Sequence, residues 1–200
     1  TKWKTVSWNT FAGKVRQASN ALLNLGLKPQ EKIAVFSQNC VEYLYTDFGA
    51  YGIRVVSIPF YATSSEQQIQ YMINDGGVRV VFVGEQEQYD KAHRIFAVCP
   101  TLERIVVFDH GVRISTHDPN SLYFDDFMKL GEGLPRQDEV ERLYSQANDV
   151  DICNILYTSG TTGSSKGVVL TYGQYAAAFK ANDACVPVGE DDRVIDFLPF

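Results

Sequence analysis

Four β-type runs built almost wholly of apolar residues alternate with amphipathic helical patterns over the first half of this chain, and few folds accommodate that. The runs are Lys32-Ile-Ala-Val-Phe-Ser37, Arg54-Val-Val-Ser-Ile-Pro59, Val78-Arg-Val-Val-Phe-Val83 and Arg104-Ile-Val-Val-Phe108. A strand with one wet face alternates apolar and polar residues, whereas a continuous apolar strand needs cover on both faces. The cover is written between the runs. Phe11, Val15, Ala18, Leu22 and Leu25 recur at helical spacing, with Ser7 as N-cap and Gly26 as the stop. Val41, Leu44, Phe48 and Tyr51 mark a second helix. Ile69, Met72 and Ile73 mark a third, opened by a capping box at Ser64 and Gln67 and closed by Asp75-Gly76-Gly77. A fourth falls near 86–97. The alternation predicts an α/β fold, a mainly parallel sheet flanked by helices with right-handed crossovers. It leaves the strand order open.

With 200 residues, 45% apolar and 12% aromatic, the chain can build a substantial core. A net charge of −6 with no basic stripe argues against a nucleic-acid polymer as main partner. It also argues against strong electrostatic binding to an anionic membrane. No apolar run reaches membrane-spanning length. The chain starts at Thr1 rather than Met and breaks off at Pro199-Phe200, just after a strand pattern at 193–198, so a truncated piece of a larger domain is expected. Cys40, Cys99, Cys153 and Cys185 lie far apart with no Cys-x-x-Cys pair. They read as reduced, mostly buried small hydrophobes of a cytoplasmic protein, not as a zinc or redox site.

Residues 109–150 break the rhythm and read as an irregular linker region with a short helix from Leu122 to Leu130 and a second further on. The chain then divides, as expected from sequence, into strand–helix repeats over 1–108, this linker, and a final segment 151–200. In that segment Tyr157-Thr-Ser-Gly-Thr-Thr-Gly-Ser-Ser-Lys-Gly-Val168 lies between β-type runs at 152–157 and 168–171, ahead of a helix near 173–183. Glycines let backbone N–H groups converge, hydroxyls add donors and lysine adds charge, a combination suited to a polyanion such as a nucleotide phosphate chain. The spacing Gly160-x-x-Gly163-x-x-Lys166-Gly167 is neither the Walker pattern nor the dinucleotide Gly-x-Gly-x-x-Gly. The run after the loop is β-type, so the loop is expected to join two strands and not to present a helix N-terminus to phosphate. The competing reading is a flexible Gly/Ser/Thr hairpin with a solvated lysine.

The twelve residues in this order resemble the signature phosphate-binding loop of the adenylate-forming superfamily, which includes acyl-CoA synthetases, luciferases and peptide-synthetase adenylation domains. The likeness extends over nearly the whole chain, through Ile33-Ala-Val-Phe-Ser-Gln-Asn39, Gly49-Ala-Tyr-Gly52 and Val56-Ser-Ile-Pro59. Pro59-Phe-Tyr-Ala-Thr-Ser-Ser65, Asp192-Arg193 and Phe197-Leu-Pro199 look most like long-chain fatty acyl-CoA synthetases. Many relatives carry proline before the loop lysine, where this chain has Ser165. The change leaves a looser loop without removing a donor.

The resemblance implies the N-terminal part of an enzyme that activates a fatty acid with ATP to an acyl-adenylate, with Mg²⁺, and passes the acyl group to coenzyme A. Catalytic roles then fall to Lys166 and Thr158. Lys166 would neutralise the triphosphate, and Thr158 would serve the metal side or a phosphate oxygen. Ser159, Thr161, Thr162 and Ser164, with amides near Gly160 and Gly163, would bind the phosphates. The adenine, ribose, acyl and thiol contacts lie downstream in such enzymes, so these 200 residues are expected to make no acyl-adenylate alone. A face that the remainder covers would be exposed, and self-association is an expectation. Peripheral contact at the inner face of the membrane is compatible with the parent enzyme. Two alternatives stay open: a ligase for a shorter or aromatic acid, and a nucleotide- or phosphate-binding module without ligase chemistry.

Other features carry less. His93, His110 and His117 lack metal spacing. Asp125-Asp126 and Glu190-Asp191-Asp192 read as solvated acids. Phe48, Tyr51, Phe60 and Tyr61 sit at core spacing.

Overall fold

The computed structural model describes residues 4–132, 136–158, 165–189 and 191–193. The chain opens with α1 (Trp8–Asn24), whose Ser7 side chain accepts a hydrogen bond from the Thr10 N–H, as expected. Then follow β1 (Lys32–Phe36), α2 (Val41–Gly52), β2 (Val56–Phe60), α3 (Glu66–Gly76), β3 (Val78–Val83), α4 (Gln86–Ile95) and β4 (Arg104–Val107). Beyond them lie β5 (Ser121–Tyr123), α5 (Phe124–Leu130), α6 (Gln137–Ser145), β6 (Ile152–Thr158), β7 (Lys166–Thr171) and α7 (Tyr172–Cys185).

The strands form one sheet in the order β5-β4-β3-β1-β2-β6-β7. Every neighbouring pair is parallel except β6 and β7. Its two faces carry separate cores, which explains the uninterrupted apolar runs. Ile33, Val35, Val80, Phe82 and Val106 pack under α1, α2, α5 and α6. Ala34, Phe36, Val81, Val83 and Val107 pack under α3 and α4. Each large side chain so enclosed contributes about 1.5–3 kcal/mol relative to exposure.

Several local expectations shift. The capping box of α3 is Ser65 with Gln68, one residue beyond Ser64 and Gln67, because Ser65 is the last extended residue before the helix. Gly77, at φ 66°, closes α3 in the left-handed conformation. Leu122 belongs to a strand, not to the helix read from Leu122 to Leu130. The short β5 pairs with β4, and α5 starts only at Phe124. Phe60 is buried as expected, but Phe48 is half exposed and Tyr61 is 69% exposed. Aromatic spacing marks one helix face or strand end without saying whether anything covers it. Residues 194–198 of the strand read at 193–198, and the residue Glu190, lie outside the described residues.

Candidate functional site

β6 and β7 form an antiparallel hairpin in which Tyr157 faces Gly167 and Thr158 faces Lys166. Thr158 and Lys166 therefore meet at the hairpin mouth, both exposed. The segment after the loop is a strand, as the β-type run after it predicts, so no helix N-terminus follows it directly. Because β6 is parallel to β2, Thr158 lies at the carboxyl edge of the parallel strands, where open α/β sheets bind ligands. Ser159, Gly160, Thr161, Thr162, Gly163 and Ser164 lie outside the described residues.

The mouth is tightly built on one side. A Cβ at Gly167 would stand 2.8 Å from Ile155 Cγ2 and 3.4 Å from the Tyr157 ring. The Tyr157 hydroxyl donates to Asp75 Oδ2 of α3 at 2.6 Å, and burial, then the nearby Asp75 carboxylate, pushes the phenol's pKa up. One residue before Thr158, β6 is thus tied to α3.

Side chains reinforce the base of the hairpin. The register between β2 and β6 is confined to Ser57 opposite Asn154. The Gln30 side-chain amide takes the place of a neighbouring strand. Its Oε1 accepts from the Ile152 N–H at 2.9 Å and its Nε2 donates to the Ile152 carbonyl at 3.2 Å. Arg54 forks onto Asp151, with Nε donating to Oδ2 at 2.8 Å and an η-nitrogen to Oδ1 at 3.1 Å. The Arg54 guanidinium holds the Asp151 carboxyl below the usual carboxylate range. Gln30 (φ 66°) and Arg54 (φ 62°) are also the non-glycine residues with left-handed backbone among those described. Such a conformation costs about 1 kcal/mol or more and persists only where surrounding contacts impose it. Here it coincides with the two side chains that seat β6.

Above that base sits a partly buried polar cluster, with Ser57 and Asn154 enclosed and Asp47 and Tyr51 half-buried. Asn154 Nδ2 donates to the Ser57 carbonyl at 3.1 Å and to the Tyr51 hydroxyl at 2.9 Å. Asp47 accepts from the Ser57 hydroxyl at 2.7 Å and from Tyr51 at 3.3 Å. Burial raises the Asp47 pKa to about 7 against the opposing pull of those two hydroxyls. Burial and the Asp47 charge raise the Cys153 thiol to about 12, which keeps it protonated and unreactive.

Of the predicted site residues, the fold brings Thr158 and Lys166 together. Among the described residues, no group of three or more His, Cys, Asp or Glu side chains could hold a metal ion. His93 Nδ1 lies 3.0 Å from Asp118 Oδ2, and His110 Nε2 lies 2.9 Å from Asp125 Oδ2. Asp126 pairs with Lys129 at 2.7 Å. Cys99 and Cys153 are buried, Cys40 is half-buried and Cys185 is exposed, and all four are free thiols. No described helix is long and apolar enough to cross a membrane.

Gln30, Arg54, Asp151 and Asn154 escaped the sequence reading. Their partners lie 97 to 122 residues away, and no periodicity links them. The one local hint was the polar Asn154 inside an otherwise apolar strand.

A parallel sheet with this terminal hairpin defines a class, and comparison names it: the chain belongs to the AMP-binding enzyme family, whose model matches residues 1–200. It is 29% identical over 205 residues to the long-chain-fatty-acid–CoA ligase ACSBG2 of Rattus norvegicus, covering 100% of this chain and 30% of that protein. It is 26% identical over 200 residues to the long-chain-fatty-acid–CoA ligase FadD15 of Mycobacterium bovis, covering 99% and 32%. The chain thus spans about a third of the length of these curated relatives. Among solved structures, a putative long-chain-fatty-acid CoA ligase from Rhodopseudomonas palustris superposes with a TM-score of 0.78 at 17% identity, over 97% of this chain and 45% of that one. The anthranilate CoA ligase AuaEII, solved with anthranoyl-AMP, superposes with a TM-score of 0.75 at 24% identity, over 88% and 32%. These two likenesses establish the shared fold.

Proposed function

We propose that the whole protein activates a fatty acid with ATP and transfers the acyl group to coenzyme A. The acid's carboxylate oxygen attacks the α-phosphorus, the bond to the β-phosphate oxygen breaks, and pyrophosphate leaves. The thiol then takes the acyl group and AMP is released. The observation that carries this reading is the register that sets Thr158 opposite Lys166 at the carboxyl edge of the sheet. Ser159, Gly160, Thr161, Thr162, Gly163 and Ser164 lie in sequence between the Thr158 hydroxyl and the Lys166 ammonium group and would supply the remaining phosphate donors. Charge accumulates on the departing pyrophosphate, and donors already in place there lower the barrier without reorganising. Lys166 supplies the positive charge, and Thr158 binds a phosphate oxygen or the Mg²⁺ that travels with the triphosphate. Fatty-acid specificity is supported by the curated relatives, and a screen of acids on the full-length protein separates it from a shorter or aromatic substrate.

Lys166→Ala in the full-length protein tests the role of the hairpin. ATP–pyrophosphate exchange at limiting ATP is expected to slow by a factor on the order of ten to a hundred, the loss of one charge-assisted contact worth about 1.5–3 kcal/mol. Unchanged exchange would remove Lys166 from the site.

A further inference from the structure

The ladder position at which the loop-bearing strand pairs with β2 is wired to a carboxyl group. Asn154 occupies it, opposite Ser57. The Ser57 carbonyl can only accept, so Asn154 must present Nδ2 to it, and its second hydrogen goes to the Tyr51 hydroxyl at 2.9 Å. Tyr51 passes its own hydrogen to Asp47 Oδ2 at 3.3 Å, with Asn154 Oδ1 as the competing acceptor at 3.2 Å. Ser57 closes the ring from the β2 side by donating to Asp47 Oδ1 at 2.7 Å. The cluster joins α2, β2 and β6 through one carboxyl group.

We propose that Asp47 is a positioning residue for the phosphate loop: through Tyr51 and Asn154 its carboxylate holds β6 against β2 and so sets the hairpin mouth. The inference rests on the ligase reading above. An ionised Asp47 draws the Tyr51 hydrogen, which leaves the Tyr51 oxygen a better acceptor for Asn154 Nδ2. A protonated Asp47 no longer draws it, and the hydrogen turns to Asn154 Oδ1. Hydrogen bonds to an ionised group are roughly twice as strong as neutral ones, so this change weakens the grip on β6. Among the described residues, the ionisable groups that sense the Asp47 charge are Tyr43 and Tyr51 of α2, Cys153 of β6 and Tyr175 of α7. None of these is a cation, and burial brings the Asp47 pKa to about 7, so the carboxyl changes charge within the working range of an enzyme.

The test is the pH dependence of KM for ATP in ATP–pyrophosphate exchange, using the full-length protein and its Asp47→Asn and Tyr51→Phe variants. ATP titrates identically in all three, so differences belong to the protein. Wild-type KM is expected to rise between pH 8 and pH 6 by roughly fivefold more than that of either variant, the factor for about 1 kcal/mol. At pH 8 both variants should already show the raised KM, with kcat changed less. Tyr51→Phe keeps the Asp47 carboxyl and carries the test if Asp47→Asn folds poorly. Variants that lose thermal stability yet keep the wild-type pH profile overturn the proposal. Failure of the ligase reading shows separately, as the absence of fatty-acid-dependent ATP–pyrophosphate exchange by the wild-type full-length protein.

Discussion

Asp151→Asn should destabilise the chain by about 2 kcal/mol, and the figure follows from how deeply the Arg54–Asp151 pair is buried. The two side chains are 16% and 8% exposed. Fully exposed ion pairs contribute about 0–1 kcal/mol. Removing one partner of a fully buried pair costs about 3–5 kcal/mol, because the other charge is left without compensation. The Arg54–Asp151 pair lies between these regimes, nearer the buried one, and its forked geometry at 2.8 Å and 3.1 Å leaves little slack. Arg54→Gly behaves differently. It also breaks the pair, but it relieves a left-handed backbone at φ 62°, worth about 1 kcal/mol, so its net cost should be about 1 kcal/mol. The double variant buries no unpaired charge and should sit near wild type, which gives a coupling of about 3 kcal/mol.

Urea unfolding of the four chains, followed by circular dichroism, reads this directly as midpoint shifts of up to about 1 M. The pH course supplies a second check. Arg54 lowers the folded-state pKa of Asp151, so the stabilisation is present above the unfolded carboxylate value of about 3.9. It disappears as pH falls through the depressed folded value. The gap between wild type and Asp151→Asn should be constant from neutral pH to about 4 and close below it. Single-variant costs that add within about 0.5 kcal/mol, or a gap that persists in strong acid, would refute the coupling.

Gly167→Ala should open the hairpin mouth, because its methyl would stand 2.8 Å from Ile155 Cγ2. A cost of about 1–3 kcal/mol is expected, with faster amide exchange along β7, and unaltered protection there would show that Ile155 yields freely. The 200 residues alone should release no pyrophosphate in a fatty-acid-dependent manner, and any such release above the no-acid control would contradict this.

The layered α/β architecture was legible because burial on two faces writes itself into composition. Val78-Arg-Val-Val-Phe-Val83 alternates between cores, with Val80 and Phe82 under one helical layer and Val81 and Val83 under the other, so no polar residue was affordable except at the strand's wet end. The capping box slipped by one residue because Ser64 and Ser65 are chemically equivalent. Only the backbone conformation decides which one leaves the extended region. Leu122 was drawn into a helix because a three-residue strand is shorter than one turn of helical periodicity and leaves no period of its own. Phe48 and Tyr61 looked like core because hydrophobicity shows what benefits from cover, not whether cover is supplied.

The candidate site divides along the same physical line. The chemistry proposed for it is local: the proposed donors and charge lie within twelve consecutive residues, whose order carries the resemblance to the phosphate-binding loop. Its positioning is not. An edge hairpin paired to the sheet through β6 takes part of its seating from side chains reaching across the chain. Gln30 pairs with Ile152 as a strand would, Arg54 neutralises Asp151, and Asn154 links the ladder to Asp47. Two of these contacts require left-handed backbone at non-glycine residues, a cost that no local preference explains and that the seating of β6 does. If positioning resides in these contacts, substitutions at Arg54 or Asn154 should alter ATP affinity although neither residue lies in the twelve-residue loop motif. The same change at Arg79, whose partners Glu31 and Glu103 lie at the amino ends of the strands, should alter stability alone.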